Sequence, residues 1–251
     1  MSFFICSECG FGSGSWIGKC PDCGKWNTLK EKPEFAKSSS SKKGEAVKKI
    51  TITSLSKVKN STKSRLSTGI FEFDRVLGGG IVPGEVILLT GQPGIGKSTL
   101  VLQAFQKLKV LYISGEESAE QVKNRAERLS VNLDNLSFSA DLQIESIIQS
   151  LDELKDEIEI VIIDSIQTIY SKDIEGPVAG VSQLKEVTKK IVNFSKQSNL
   201  PILLIGHINK EGDVAGPKTL EHFVDCVLEI EGEKISNFRL LLASKNRFGS
   251  I

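Results

Sequence analysis

One octapeptide limits this chain more than anything else in it. Gly91-Gln92-Pro93-Gly94-Ile95-Gly96-Lys97-Ser98 fits G-x-x-x-x-G-K-[ST], follows the apolar run Val86-Ile87-Leu88-Leu89, and leads into a helix-like stretch, 98–107. A strand, a glycine-rich turn and a helix in that order make a phosphate loop. Glycines let the main chain approach closely, so that its N–H groups face phosphate oxygens at a helix N-terminus, where the dipole favours anions. Lys97 can then reach the β- and γ-phosphates, and the Ser98 hydroxyl can ligate Mg²⁺. Residues 91–98 and the adjoining Thr99 are the expected ATP contacts. The chain should bind a nucleoside triphosphate.

With 251 residues, there is room for a full α/β domain and a small extra module. No apolar run approaches the roughly 20 residues of a membrane helix. The start, Met1-Ser2-Phe3-Phe4-Ile5-Cys6, lacks the basic and long apolar regions of a secretory signal. No membrane association and a cytoplasmic location are therefore expected. The net charge of +1 hides an asymmetry: residues 1–64 carry 12 Lys against 5 acids, whereas 65–251 carry 20 basic against 26 acidic residues. A polyanion would have to meet local loops or the basic N-terminal segment.

Composition divides the chain into three. Residues 1–29 are rich in Cys, Gly and Trp; residues 30–64 are dominated by Lys and Ser, as in a solvated linker, with Ile50-Thr51-Ile52 as a candidate edge strand. From Arg65 to Ile251, apolar runs alternate with amphipathic ones. Strands are expected at 86–90, 109–114, 136–139, 160–163, 202–206, 226–230 and 238–243, and helices at 98–107, 119–129, 143–154 and 182–197. Short, almost continuously apolar strands suit a mostly parallel sheet covered by helices on both faces, the α/β class.

Cys6-x2-Cys9 and Cys20-x2-Cys23 are paired knuckles offering four thiolates, the set for tetrahedral Zn²⁺. Four thiolates close the coordination sphere, so the ion should be structural. Disulfides suit a reducing compartment poorly, and an iron–sulfur cluster suits paired knuckles less well than zinc. A 29-residue segment cannot bury a real core, so metal binding should supply its folding energy. Trp16 and Trp26 are expected to pack around the knuckles, with base stacking as the sharper alternative. Cys226 reads as a buried small hydrophobe.

Ile160-Val161-Ile162-Ile163-Asp164 is a buried strand ending in a carboxylate, which can hold Mg²⁺ through water beside the phosphate loop. In Ser114-Gly115-Glu116-Glu117-Ser118, Glu116 is the first choice for activating the attacking water and Glu117 the reserve. His207 ends another central strand and could sense the γ-phosphate; His222 reads as structural.

Taken in order, these motifs resemble one family. The knuckles precede Leu66-Ser67-Thr68-Gly69-Ile70, Phe73-Asp74-Arg75-Val76-Leu77-Gly78-Gly79-Gly80 and the phosphate loop. Ser114–Ser118, Ile163-Asp164-Ser165-Ile166-Gln167-Thr168, His207 and Lys210-Glu211-Gly212 follow, then Lys245-Asn246-Arg247-Phe248-Gly249. The whole chain is similar to the bacterial RadA (Sms) DNA-repair ATPases, with a RecA-like P-loop core and an N-terminal four-cysteine zinc finger. The resemblance implies a DNA-dependent ATPase that forms hexameric rings on single-stranded or branched DNA. It also implies branch migration during recombination alongside a RecA-type recombinase. It makes Lys245 and Arg247 parts of a motif acting across the subunit interface, with Arg247 able to reach a neighbour's γ-phosphate as an arginine finger. Family members continue into a Lon-protease-like domain that helps organise the ring, whereas this sequence ends at Ile251, so the hexamer is expected of the full-length form.

In a RecA-like ring the loops 170–180 and 209–218 would face the central channel, making Lys172, Lys210 and Lys218 candidate DNA-phosphate contacts. Two other functions use the same core. One is a replicative-type helicase, which the zinc module disfavours. The other is an ATP-switched binding module of the clock-ATPase kind, which would be indifferent to DNA.

Overall fold

The computed structural model describes residues 3–9, 11–32, 54, 56, 64–207, 217–232 and 238–251. The chain divides into two compact units, 1–64 and 65–251. The small unit is a three-stranded antiparallel sheet, with β1 (Phe3–Cys6) between β2 (Gly12–Ser13) and β3 (Leu29–Lys32). Its interior is Cys6, Cys9, Cys20 and Leu29, with Phe4, Phe11 and Cys23 packed against them. The expected strand at 50–52 lies outside the described residues.

The large unit is built on seven strands: β4 (Val86–Gly91), β5 (Val110–Ser114), β6 (Leu136–Ser139), β7 (Ile160–Asp164), β8 (Ile202–Ile205), β9 (Cys226–Gly232) and β10 (Arg239–Asn246). Their order across the sheet is β10-β9-β4-β8-β7-β5-β6. Every neighbouring pair is parallel except β9 and β10. Strands β4, β7 and β8 are buried along their whole length, which explains why they read as unbroken apolar runs: both faces are covered.

The helices are α1 (Phe71–Val76), α2 (Lys97–Ala104), α3 (Ala119–Arg128), α4 (Ile144–Leu154), α5 (Val181–Ser198) and α6 (Pro217–Leu220). On one face, residues of α1, α2 and α3 pack with Ile87, Leu89, Tyr112, Ile162 and Leu228. On the other, residues of α4, α5 and α6 pack with Leu88, Ile113, Ile163, Leu204 and Val227. Alternate residues of one strand thus feed opposite layers, as the period of two requires. Helix α3 starts at a capping box, Ser118 accepting from Gln121 N while the Gln121 amide oxygen accepts from Ser118 N. The architecture is a RecA-like ATPase fold. No described helix is long and apolar enough to cross a membrane.

Strand β10 forms an edge and departs from regularity once. Its register against β9 shifts between Ala243 and Lys245, so that Ala243 faces Leu228 and Lys245 faces Val227. The strand also runs further than its apolar part, through Ser244, Lys245 and Asn246.

Candidate functional site

Parallel strands bring their C-terminal ends to one edge of the sheet, and the residues expected to handle nucleotide meet there. Strand β4 passes into the phosphate loop at Gly91, where a Cβ would lie 2.8 Å from the Ile230 carbonyl oxygen. Gly96 caps α2 in the left-handed region, at φ 107°. A side chain there would also press on the Arg239 guanidinium, 3.0 Å from an added Cβ. These two glycines let Lys97 and Ser98 begin the helix, with the α2 N-terminus open to an anion.

Lys97 is 4% exposed, and its ammonium donates to the carbonyls of Gly91 (2.9 Å) and Gln92 (3.1 Å). Burial lowers its pKa from the ordinary lysine value, while the charges of Asp164 and Glu116 oppose that. Ser98 Oγ donates to Asp164 Oδ2 at 2.7 Å, joining α2 to the end of β7. The same oxygen accepts from the hydroxyl of Tyr112, a fully buried residue of β5. Burial, followed by the Asp164 charge, pushes the Tyr112 hydroxyl far above its usual pKa, so it stays protonated and donates.

The peptide bond between Asp164 and Ser165 is cis. Ser165 Oγ donates to Glu116 Oε1, which also lies 3.1 Å from His207 Nε2. Ligating atoms of Glu116, Asp164 and His207 all lie within 4.8 Å of one another. Glu117 takes another direction: it pairs with Arg125 of α3. The Ser114 hydroxyl accepts from the N–H groups of Glu116 (3.2 Å) and Glu117 (3.1 Å), fixing the turn that separates their side chains.

Lys245 and Arg247 lie at the opposite edge. Arg247 donates to Asp225 Oδ1 at 2.9 Å, and the Lys245 ammonium to the carbonyls of Glu221 (2.6 Å) and Val224 (2.8 Å). Asp225 N in turn donates to Val86 O, at the start of β4. The length of β4 separates this corner from the phosphate loop, about 17 Å at 3.3 Å per residue. Neither cation can serve its own chain's phosphate loop. Lys172 is exposed, with its main-chain N–H on Glu145. Lys210 lies outside the described residues, as does the side chain of Lys218 in α6.

In the small unit, Cys6 Sγ lies 3.6 Å from Cys23 Sγ, Cys9 Sγ 3.4 Å from Cys20 Sγ, and all four sulfurs within 4.8 Å of one another. Zn–S bonds of about 2.3 Å at tetrahedral angles put sulfurs about 3.8 Å apart, so the set fits zinc. The two knuckles match: Cys6 N donates to Phe11 O and Cys20 N to Lys25 O, both at 2.9 Å. Burial raises the Cys6 thiol, but hydrogen bonds to Thr28 and to main-chain groups of Cys9 and Glu8 hold it down to about 6. None of the five cysteines is in a disulfide, and burial pushes Cys226 in β9 up to about 12. The tryptophans do not pack around the knuckles as expected. Both are mainly exposed, because Leu29, Phe4 and Phe11 already fill the little interior there is.

Three residues of the nucleotide edge escape sequence reasoning. Ser165 was visible beside Asp164 but carried no signal of a role, Tyr112 was concealed in an apolar strand, and nothing marks Arg239.

Known proteins align with both units. Residues 66–248 match the model of the KaiC ATPases, and residues 4–31 that of the rubredoxin metal-binding domain. The chain is 45% identical to the DNA repair protein RadA of Listeria monocytogenes and 45% to that of Aquifex aeolicus, each over 98% of this chain and 55% of the relative. It is 44% identical to the Bacillus subtilis protein of the same name, over 99% of this chain and 56% of the relative. The chain spans about half the length of the curated relatives it matches.

Proposed function

Because this chain belongs to the KaiC family of RecA-like ATPases and is a homologue of the RadA DNA-repair proteins, we propose that it is a cytoplasmic DNA-dependent ATPase of recombinational repair. It binds single-stranded or branched DNA and uses ATP to move along it, processing recombination intermediates by branch migration beside a RecA-type recombinase. The full-length form assembles as a homo-hexamer.

One convergence supports this above all: Lys97, Ser98, Asp164 and Glu116 meet at one edge of the sheet, joined by Ser98–Asp164 and Ser165–Glu116 hydrogen bonds. In the proposed reaction, Lys97 leaves the loop carbonyls for the β- and γ-phosphates. Ser98 and Asp164 would hold Mg²⁺, which on binding neutralises developing phosphate charge. Glu116 activates the attacking water, and His207, on the same carboxylate oxygen, registers whether the γ-phosphate is present. The pairing of Glu117 with Arg125 favours Glu116 over Glu117 for this role. Arg247 and Lys245 act on a neighbouring subunit's phosphates, since about 17 Å separates them from their own loop. The zinc held by Cys6, Cys9, Cys20 and Cys23 is structural.

Lys172, Lys210 and Lys218 are proposed DNA-phosphate contacts. Mutating them should weaken binding with little sequence preference and reduce its salt dependence, by up to about one unit of slope each.

The decisive assay is ATP turnover with and without single-stranded DNA. Stimulation supports the repair ATPase. Slow turnover indifferent to DNA would instead favour an ATP-switched partner-binding module, which the KaiC match keeps in view.

A further inference from the structure

The small unit leaves its two largest side chains outside. Trp16 is 57% exposed and Trp26 69%, and these are the only tryptophans in the chain. A buried indole removes roughly 150–250 Å² from water, the largest single gain open to so small a core. This unit forgoes it twice. Nor are the rings scattered. A Cβ on Gly18 would lie 3.6 Å from Trp16 Cη2 and 3.7 Å from Trp26 Cζ3, so both ring edges converge on one bare stretch of main chain and stand at most about 7 Å apart there. Lys19 bridges to Trp26 across an antiparallel pair, its ammonium 5.8 Å from the centre of that ring.

We infer that Trp16 and Trp26 form a stacking platform for the bases of single-stranded nucleic acid, with Lys19 on the backbone phosphate. Every base offers a π face whatever the sequence, and base–aromatic stacking contributes about 1–3 kcal/mol per base. Charge selects this occupant over an apolar peptide. Residues 30–64, which follow the indole-bearing segment directly in sequence, carry 10 Lys against 3 acids while 65–251 are net acidic, so a polyanion is drawn to the stretch of chain next to the indoles. Glycine at 18 keeps a side chain from standing beside both rings. The inference rests on the proposal that the protein handles single strands, but assigns a contact outside the loops 170–180 and 209–218.

The test uses the full chain and a short oligothymidylate at low salt. Indole emission reports the two residues, and the anisotropy of a labelled oligonucleotide reports binding by any surface. Saturable quenching that weakens with salt is expected. Trp16→Ala and Trp26→Ala should each weaken binding about tenfold while the protein keeps its zinc, and Trp→Phe at either site should restore most of the affinity. Oligonucleotide binding with unchanged indole emission, or alanine variants that bind like wild type, overturns the platform and leaves the repair ATPase standing. A RecA-type recombinase that changes the emission when the oligonucleotide does not overturns it equally, giving the surface to a protein. No oligonucleotide binding at all overturns both proposals.

Discussion

Asp164 Oδ2 ties the phosphate-loop helix to the apolar layer beneath it. It accepts one hydrogen bond from Ser98, the proposed Mg²⁺ ligand, and one from Tyr112, whose ring lies wholly in the apolar layer. Phenylalanine would fill the same volume without burying a hydroxyl, so the phenolic group has Asp164 as its reason to be there. Tyr112→Phe should fold and bind ATP in EDTA like wild type, yet need about tenfold more Mg²⁺ for half-maximal turnover; an unchanged Mg²⁺ titration would show that Tyr112 only packs. Lys97→Ala should abolish measurable hydrolysis and leave zinc content unaltered, because the two lie in separate units. Wild-type turnover in that variant would show that another cation holds the phosphates. These residues differ in how plainly the sequence announces them. Lys97, Ser98 and Asp164 sit in short fixed patterns, but Tyr112 and Ser165 act through register: β5 and β7 align Ser114 with Asp164, which no local window contains.

At the scale of elements, strands were legible where both faces are buried and less so where they are not. Strands β4, β7 and β8 announce themselves as apolar runs, whereas β10 alternates at an edge and ends in Ser-Lys-Asn, which locally reads as a loop. Helix α1 gives no signal in the sequence because its six residues are too few to show a period. Strand β4 also carries a cost at its base. Glu85, just before it, is fully buried, with Oε2 accepting from Val82 N at 2.8 Å and Oε1 without a partner among the described residues. Burial, then the nearby Asp225 charge, raises its pKa to about 7. A folded-state pKa above the unfolded value means that the folded chain holds the extra proton between about pH 4.5 and 7. Stability should therefore fall as pH rises through that window, by about 3 kcal/mol from this group, and level off above it. Urea midpoints at pH 5 and 8 should show that fall in wild type and not in Glu85→Gln; parallel pH profiles would mean Glu85 ionises freely. Glu145 works oppositely. Burial raises it, but Lys190 and Ser171 outweigh that and hold it at about 2, so its contribution is lost only as pH falls from about 4.5 towards 2.

For the whole molecule, the two units should fail separately. Cys9→Ser should release one Zn²⁺ per chain and unfold residues 1–29, while the ATPase unit keeps its melting transition; iron in place of zinc, or no metal in reduced protein, would overturn the assignment. The 17 Å between the Arg247 corner and the phosphate loop makes a prediction about assembly. Lys97→Ala and Arg247→Ala proteins, each inactive alone, should regain activity when mixed in the full-length form. In the proposed hexamer, random 1:1 mixing would join an intact loop to an intact Arg247 at about a quarter of the interfaces. Inactive mixed rings would place Arg247's role within its own subunit.

The irregularity in β10 explains how that corner is aimed. Side chains alternate along a strand, so Lys245 would ordinarily share a side with Leu241 and Ala243, which pack on the layer that contains α2. The unpaired Ser244 reverses the parity. Lys245 instead turns to the side of Val227, where the Glu221 and Val224 carbonyls receive it. Deleting Ser244 would keep every letter of the Lys-Asn-Arg-Phe-Gly motif and point its lysine the wrong way.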